Sequence, residues 1–193
     1  MRVDTAVILA GGKSSRMRRD KSLLPFGESP TLAQYQYSRV QEIFSRVYIS
    51  TKVDKFDFQA NLIFDESEIF SPLLAISSIL ERVASPVFII GVDMPHLSLE
   101  SMERILDSFS LEFDAIIAKS NHHREPLCGV YNPSILSLIR DLIDRDIHKL
   151  NYLLSLSKVK EVEILAENEF TNLNYPEDYQ EAILNFDKIP KKY

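Results

Sequence analysis

Apolar residues fall along this chain in two rhythms, short unbroken runs that predict buried strands and steps of three and four that predict helices packed on them. Ala6-Val7-Ile8-Leu9-Ala10 is a run of the first kind, closed by two glycines, as expected of a strand buried on both faces. Ser29-Pro30 offers an N-cap and a first-turn proline, and Leu32, Tyr35, Val40, Ile43 and Phe44 follow near helical spacing. Val47-Tyr48-Ile49-Ser50 and Leu62-Ile63-Phe64 predict two further strands, the second running into Asp65. Leu73, Ile76, Leu80 and Val83 mark a helix. Val87-Phe88-Ile89-Ile90-Gly91-Val92, the most apolar strand candidate, delivers Asp93 at its end.

Downstream, Met102, Ile105, Leu106 and Phe109 place a helix over about Leu99 to Phe109. Ala115–Ala118 and Leu127–Tyr131 read as strands joined by a polar loop from Lys119 to Arg124. A helix begins near Pro133, a shorter one covers about Ile147 to Leu154, and a last strand centres on Val162-Ile164. Asn172-Leu173-Asn174-Tyr175-Pro176 then leads into a helix reaching about Phe186, and the tail from Lys188 to Tyr193 is expected to fray. This alternation predicts an α/β fold, a three-layer sandwich whose mostly parallel central sheet is covered by helices. Ligands of such sheets sit beyond the carboxyl ends of the strands, at a switch in strand order.

The 193 residues carry no internal repeat, low-complexity tract or linker, so residues 1–193 are expected to form one domain. A chain 45% hydrophobic and 26% charged is an ordinary globular one, and a net charge of −6 without a basic block argues against nonspecific nucleic-acid or membrane-surface binding. Cys128 is the only cysteine, which excludes an intrachain disulfide and a cysteine zinc cluster. The opening residues do not resemble a signal peptide, and no apolar run is long enough to span a bilayer, so a cytoplasmic location is expected.

Candidate chemistry begins where the first strand ends. Gly11-Gly12 lets backbone amides approach an anion closely, and Lys13, Arg16, Arg18, Arg19 and Lys21 follow within nine residues. That density of donors suits a polyphosphate. The spacing is neither a dinucleotide fingerprint nor a Walker A loop, and the alternative is a glycine turn with a solvated basic loop. Asp93, at the end of a buried strand and before the strand-breaking Pro95, either holds Mg2+ together with phosphate oxygens or caps the following turn. His122-His123 points to opposite faces of an extended chain and reads as a solvated loop tip, not a metal pair. Arg124 is a candidate for the anionic end of a second substrate, Cys128 reads as core, and His96 has no assigned role.

Leu9-Ala10-Gly11-Gly12, Arg16-Met17 and Asp20-Lys21 resemble the signature of the nucleotidyltransferases that act on nucleoside triphosphates, and most of all the molybdenum cofactor guanylyltransferases. Glu125-Pro126-Leu127-Cys128-Gly129-Val130-Tyr131 resembles the segment lining the pterin side in that family, and Asn172-Leu173-Asn174-Tyr175-Pro176-Glu177-Asp178 resembles its N-x-N-T-P-E-D motif. Four departures stand out: Arg18 where the family carries glycine, Ser50 for asparagine, Tyr175 for threonine, and Ser71-Pro72-Leu73-Leu74-Ala75 for the Pro-Leu-Ala-Gly of the base pocket. Asn174 is expected to supply the helix cap that the missing threonine would have given.

The resemblance implies a Rossmann-like fold of the nucleotide-diphospho-sugar transferase type. It implies transfer of GMP from GTP to the phosphate of molybdopterin, releasing pyrophosphate and forming the guanine dinucleotide cofactor. It assigns Arg16, Lys21 and Asp93 to catalysis and Asp93 to Mg2+. Leu9, Ala10, Gly11, Gly12, Lys21, Ser50, Asp65 and Asp93 would bind the nucleotide, and Asn172 and Asn174 the second substrate, to which Arg124 is added by its charge alone. Molybdoenzyme chaperones or apoenzymes are the implied protein partners, with no nucleic acid. Cytidylyl transfer to molybdopterin, nucleotidyl transfer to a sugar or polyol phosphate, and a non-enzymatic nucleotide-binding delivery protein are the alternatives. Base preference, oligomeric state, the receiving apoenzyme and the effect of Arg18 stay open.

Overall fold

The computed structural model describes residues 3–12, 16–17, 19–65, 67–121, 123–166 and 168–186. The expectations for Lys13, Arg18, His122 and the Lys188–Tyr193 tail lie outside the described residues. Seven strands form one sheet: β1 (Thr5–Leu9), β2 (Arg46–Thr51), β3 (Asn61–Phe64), β4 (Val87–Gly91), β5 (Ala115–Ser120), β6 (His123–Tyr131) and β7 (Val159–Glu163). Their order is β3-β2-β1-β4-β6-β5-β7, parallel except for β6, which runs antiparallel to both β4 and β5. Among the described residues six α-helices form: α1 (Leu32–Val40), α2 (Pro72–Val83), α3 (Leu99–Asp107), α4 (Leu136–Asp144), α5 (Leu150–Leu156) and α6 (Pro176–Leu184).

Strand alternation sorts the core into two layers. Ala6, Ile8, Phe88, Ile90 and Ile116 face α1, α3 and α6 through Leu32, Val40, Met102, Ile105 and Ala182. Val7, Ile89 and Ile117 face α2, α4 and α5 through Ile76, Leu80, Ile139, Leu142 and Leu153. Residues of β1 and β4 are buried from both sides, which is why their sequences are unbroken apolar runs. The chain leaves β1 towards β2 and β3 and returns to β4 on the other side of β1. That reversal places the switch between β1 and β4, where Leu9 and Gly91 are register partners and Val92 N–H donates to the Leu9 carbonyl at 3.1 Å.

Several boundaries differ from the sequence reading, each for a local reason. Helix α1 is capped by Thr31, whose hydroxyl accepts from Gln34 N–H at 3.1 Å; Ser29 instead pairs with Phe26 across a tight turn at Gly27, where φ is +57°. The polar stretch from Lys119 to Arg124 is mostly strand, and His123 lies on β6 instead of at a loop tip. Glu161 of β7 pairs with both Lys119 and Arg124, so charge pairing across the sheet edge stands in for apolar alternation. The segment after Pro133 opens as a 3-10 turn before α4, and β7 starts at Val159. Helix α6 is closed by Asp178, whose carboxylate accepts from the backbone N–H groups of Asn174 (2.9 Å) and Tyr175 (2.8 Å), so the expected Asn174 cap gives way to a carboxylate in the first turn. Cys128 is fully buried, as expected of a core residue, and burial pushes its thiol well up.

Candidate active site

The carboxyl ends of β1 and β4 open into a cavity of about 310 Å3. Leu9, Ala10, Gly11 and Gly12 line it from the β1 side, Gly91, Val92 and Asp93 from the β4 side, and Ser50, Asp65 and Lys21 complete the polar wall. Each of these follows from local structure. Asp20 is the N-cap of a 3-10 turn over Lys21–Leu23; its Oδ1 accepts from Ser22 N–H at 3.0 Å and from the Ser22 hydroxyl at 2.6 Å. That turn presents Lys21 to the cavity floor, where Nζ donates to Asp93 Oδ2 at 2.5 Å and to the Leu173 carbonyl at 3.3 Å. Lys21 and Asp93, 72 residues apart, therefore meet where the sequence reading required them to.

Glycine is required by packing at one of these places and not at the other. A Cβ on Gly91 would lie 2.5 Å from Asp93 Oδ1, so the bare backbone there makes room for the carboxylate. A Cβ on Gly11 would meet only ordinary contacts and one on Gly12 open space, and neither residue has positive φ. No packing demand of the described residues explains that pair, which leaves the backbone there open to the cavity.

Two lysines missed by the sequence reading brace the rim. Lys55 Nζ donates to the Ala10 carbonyl (3.0 Å) and to Asp20 Oδ2 (2.5 Å), tying the glycine loop to the segment after β2. Lys52 Nζ pairs with Asp65 Oδ2 at 3.0 Å and donates to the carbonyls of Ser67 and Ile69. Also missed were Gln36 and Arg39 on α1. Gln36, fully buried, donates to the Met94 carbonyl at 2.9 Å. Arg39 donates to Gln36 Oε1 (3.0 Å), to the Pro95 carbonyl (2.7 Å) and to the Leu97 carbonyl. Together they fix the loop that leaves Asp93. The near-helical spacing of α1 gave no hint of this, because a buried Gln–Arg pair has no local signature.

On the β6 side the ladder with β5 jumps from Ile117–Gly129 to Ala118–Glu125, so Pro126, Leu127 and Cys128 bulge from that pairing and Leu127 enters the cavity. The buried Tyr131 hydroxyl donates to the Pro126 carbonyl at 2.6 Å and pins the bulge. Burial pushes the Glu125 carboxyl above its ordinary value; His123 pulls it down against this, and the Asp93 charge adds a smaller upward push.

Residues 6–160 match the profile of the MobA-like NTP transferase domain. A molybdenum cofactor guanylyltransferase of Campylobacter jejuni subsp. doylei is 40% identical over 90% of this chain and 92% of its own length. One from Helicobacter pylori is 31% identical over 92% of this chain and 90% of its own. The chain belongs to the molybdenum cofactor guanylyltransferase family. In fold, this guanylyltransferase-family chain resembles the molybdopterin-guanine dinucleotide biosynthesis protein A of Archaeoglobus fulgidus, with a TM-score of 0.76 and 21% identity over 95% of this chain and 99% of that one.

Not every candidate residue enters the cavity of this guanylyltransferase-family member. Leu9, Ala10, Gly11, Gly12, Lys21, Ser50, Asp65 and Asp93 do. Arg16 stands outside the lining with its guanidinium 5.6 Å from the centre of the Tyr175 ring, the residue that replaces the family threonine. Arg124 lies on the far reach of β6, 2.7 Å from Glu161 Oε1, and the structure does not bring it to the crevice. Asn172 and Asn174 flank Leu173, whose N–H donates to the Asp93 carbonyl at 3.0 Å, so their segment does reach the site. Asn172 Oδ1 is buried without a hydrogen-bond partner among the described residues.

The donor set fits a hard divalent cation. Mg2+ needs one or two carboxylates plus phosphate and water oxygens, and Asp93 supplies a carboxylate, with the orphaned Asn172 amide oxygen on the adjoining segment. A dedicated cage of three or more His, Cys, Asp or Glu is absent among the described residues, and this chemistry does not call for one.

Proposed function

We propose that this protein transfers GMP from GTP to the phosphate of molybdopterin, releasing pyrophosphate, in the cytoplasm and with Mg2+ on Asp93. The observation that carries the reading is the meeting of Lys21 and Asp93 at 2.5 Å beneath the glycine loop, which joins phosphate-binding and metal-binding chemistry in one cavity. The acceptor phosphate oxygen forms a bond to the α-phosphorus, and the bond from that phosphorus to the β-phosphate bridging oxygen breaks. An attacking phosphate is already ionised near neutral pH, so no general base is needed. The cavity agrees with this: Asp20, Asp65 and Asp93 are each paired with a lysine, an arrangement that suits charge stabilisation better than proton abstraction.

Gly11 and Gly12 amides would cradle the phosphate chain, and Lys21 would exchange Asp93 for the α-phosphate oxygens as charge develops there. Mg2+ when bound supplies further neutralisation of the phosphoryl oxygens. Arg16 would have to leave the Tyr175 ring to join them. Asn172 and Asn174, whose segment is tied to Asp93 through Leu173, would meet the second substrate; Arg124, held by Glu161, would not.

The test is pyrophosphate release by the purified protein with Mg2+, molybdopterin and each of GTP, CTP and ATP. GTP is expected to support turnover, and Lys21→Ala or Asp93→Ala to lower it about 30- to 1000-fold. Turnover only with CTP, or only with a sugar or polyol phosphate as acceptor, would replace the substrate assignment. Tight GTP binding without pyrophosphate release would identify a delivery protein instead, and wild-type turnover in either variant would overturn the site.

A further inference from the structure

Asp20 puts a carboxylate on the wall of a cavity suited to phosphates, where an uncancelled negative charge repels the ligand. Its Oδ1 caps the turn that carries Lys21, accepting from Ser22 N–H at 3.0 Å and from the Ser22 hydroxyl at 2.6 Å. Asparagine or serine would cap that turn equally well without the charge. The acid is therefore explained by its other oxygen, Oδ2, which Lys55 Nζ meets at 2.5 Å.

Lys55 comes from the segment after β2, 35 residues away in sequence, and its side chain is 16% exposed against 32% for Asp20. The ammonium lies 5.5 Å from the centre of the Phe56 ring and also donates to the Ala10 carbonyl at 3.0 Å. Ala10 is held on its other side as well, its N–H donating to the Ser50 carbonyl at 2.9 Å. The Ala10 carbonyl and the Gly11 N–H share one trans peptide plane and point in opposite directions. Holding the carbonyl on Lys55 thus sets the direction of the Gly11 N–H. Ala10 and Asp20 open and close the stretch that carries Gly11-Gly12 and Arg16, so one ammonium joins its two ends. Both of those residues line the cavity and Lys55 does not, so it acts through its partners.

We propose that Lys55 is a positioning residue for the phosphate chain: it aims the Gly11 amide through Ala10, steadies the Lys21 turn through Asp20, and cancels the Asp20 charge. The assignment rests on the nucleotidyl-transfer reading and adds to it a residue outside every motif named above. Its action falls on the phosphates and is indifferent to the base. A brace that served packing alone would behave differently, because altering its second partner as well could only loosen the loop further.

Calorimetric titration with inorganic tripolyphosphate and with GTP, both with Mg2+, tests this on wild type, Lys55→Met, and Lys55→Met combined with Asp20→Asn. Lys55→Met is expected to weaken both ligands by the same factor, about 5- to 10-fold, because the loss falls on the phosphates. Adding Asp20→Asn should recover about threefold or more, since it removes the uncancelled charge and keeps the oxygen that caps the turn. Lys55→Gln, which keeps an N–H donor without the charge, is the second variant and should fall between wild type and Lys55→Met. Tripolyphosphate binding within about twofold of wild type in both single variants, or no recovery on adding Asp20→Asn, overturns the positioning role and leaves the nucleotidyl-transfer reading standing. Loss of GTP without loss of tripolyphosphate overturns it too. If neither single variant folds, Lys55 is a brace of the fold and the proposal fails. Wild type that binds neither ligand overturns the nucleotidyl-transfer reading itself, and this proposal with it.

Discussion

Replacing Gly91 by alanine isolates the placement of the Asp93 carboxylate. The added methyl would sit 2.5 Å from Asp93 Oδ1, with Asp93 Cγ at 3.7 Å and Leu127 Cβ at 3.9 Å as the next neighbours. A relaxed carbon–oxygen contact is about 3.3 Å, so the carboxylate must retreat by about 0.8 Å while every other contact is already acceptable. Retreat also pulls Oδ2 from Lys21, which holds it at 2.5 Å. A misplacement on this scale at a reacting centre costs about 100-fold in rate. The fold loses little, because the clash is with the end of a flexible side chain and Gly→Ala itself stabilises by about 0.4–1 kcal/mol where the backbone permits it. Gly129 provides the contrast: its Cβ would strike the Ile116 carbonyl at 2.3 Å and Ile117 Cα at 2.7 Å, backbone that cannot step aside. Gly91→Ala should therefore keep its melting temperature and lose turnover in the pyrophosphate-release assay, whereas Gly129→Ala should lose stability first. Wild-type turnover in a folded Gly91→Ala protein would refute the placement argument.

Arg39→Ala removes three hydrogen bonds to the Gln36 side chain and the carbonyls of Pro95 and Leu97, and should destabilise by about 2–4 kcal/mol in urea titration. Arg39→Lys, lacking the planar fork, should recover only part of that; full recovery would show that charge alone matters. Burial first, and then the Arg39 charge, hold His96 below its ordinary value of 6.5, with Glu181 pulling the other way. On acidification the unfolded chain takes up that proton before the native one, so stability should fall as pH drops through about 6.5 towards the lower native value. His96→Gln should flatten that slope in denaturant titrations across about pH 5 to 7, and an unchanged slope would assign it elsewhere.

How much of this was readable in advance follows from where each signal is stored. β1 and β4 are buried on both faces, so their positions are written as apolar runs, and the glycine pair and Asp93 at their ends could be placed before any coordinates. The β5–β6 hairpin reaches beyond the covered part of the sheet, where Lys119, Arg124 and Glu161 pair across strands; charges there look like loop. Pro30 masked the true cap, Thr31, because both are good helix-start residues and only the Phe26–Ser29 pairing decides between them. Arg16 is read from the family signature and Arg124 from its charge; in the structure one lies against the Tyr175 ring and the other pairs with Glu161. Lys52 and Lys55 reach partners 13 and 35 residues away in sequence, information that no local pattern holds.

The Lys21–Asp93 pair has a consequence for the order of binding. Both side chains are less than one-fifth exposed, at 15% and 18%, so their attraction is only partly screened, and Asp93 Oδ2 is already occupied by the ammonium. On the proposed Mg2+ assignment, a divalent cation arriving alone would have to displace Lys21 and then sit beside its charge. A triphosphate removes that obstacle by offering Lys21 a better partner, so metal and nucleotide should each strengthen the other's binding. Lys21→Ala separates the two effects: it should weaken nucleotide binding yet make the nucleotide-free protein bind Mn2+ more tightly, by about fivefold for a pair worth about 1 kcal/mol. Mn2+ titration followed by electron paramagnetic resonance reads this without catalysis. If Lys21→Ala binds Mn2+ no better than wild type, the lysine does not compete with the metal, and the cavity must recruit cation and nucleotide independently.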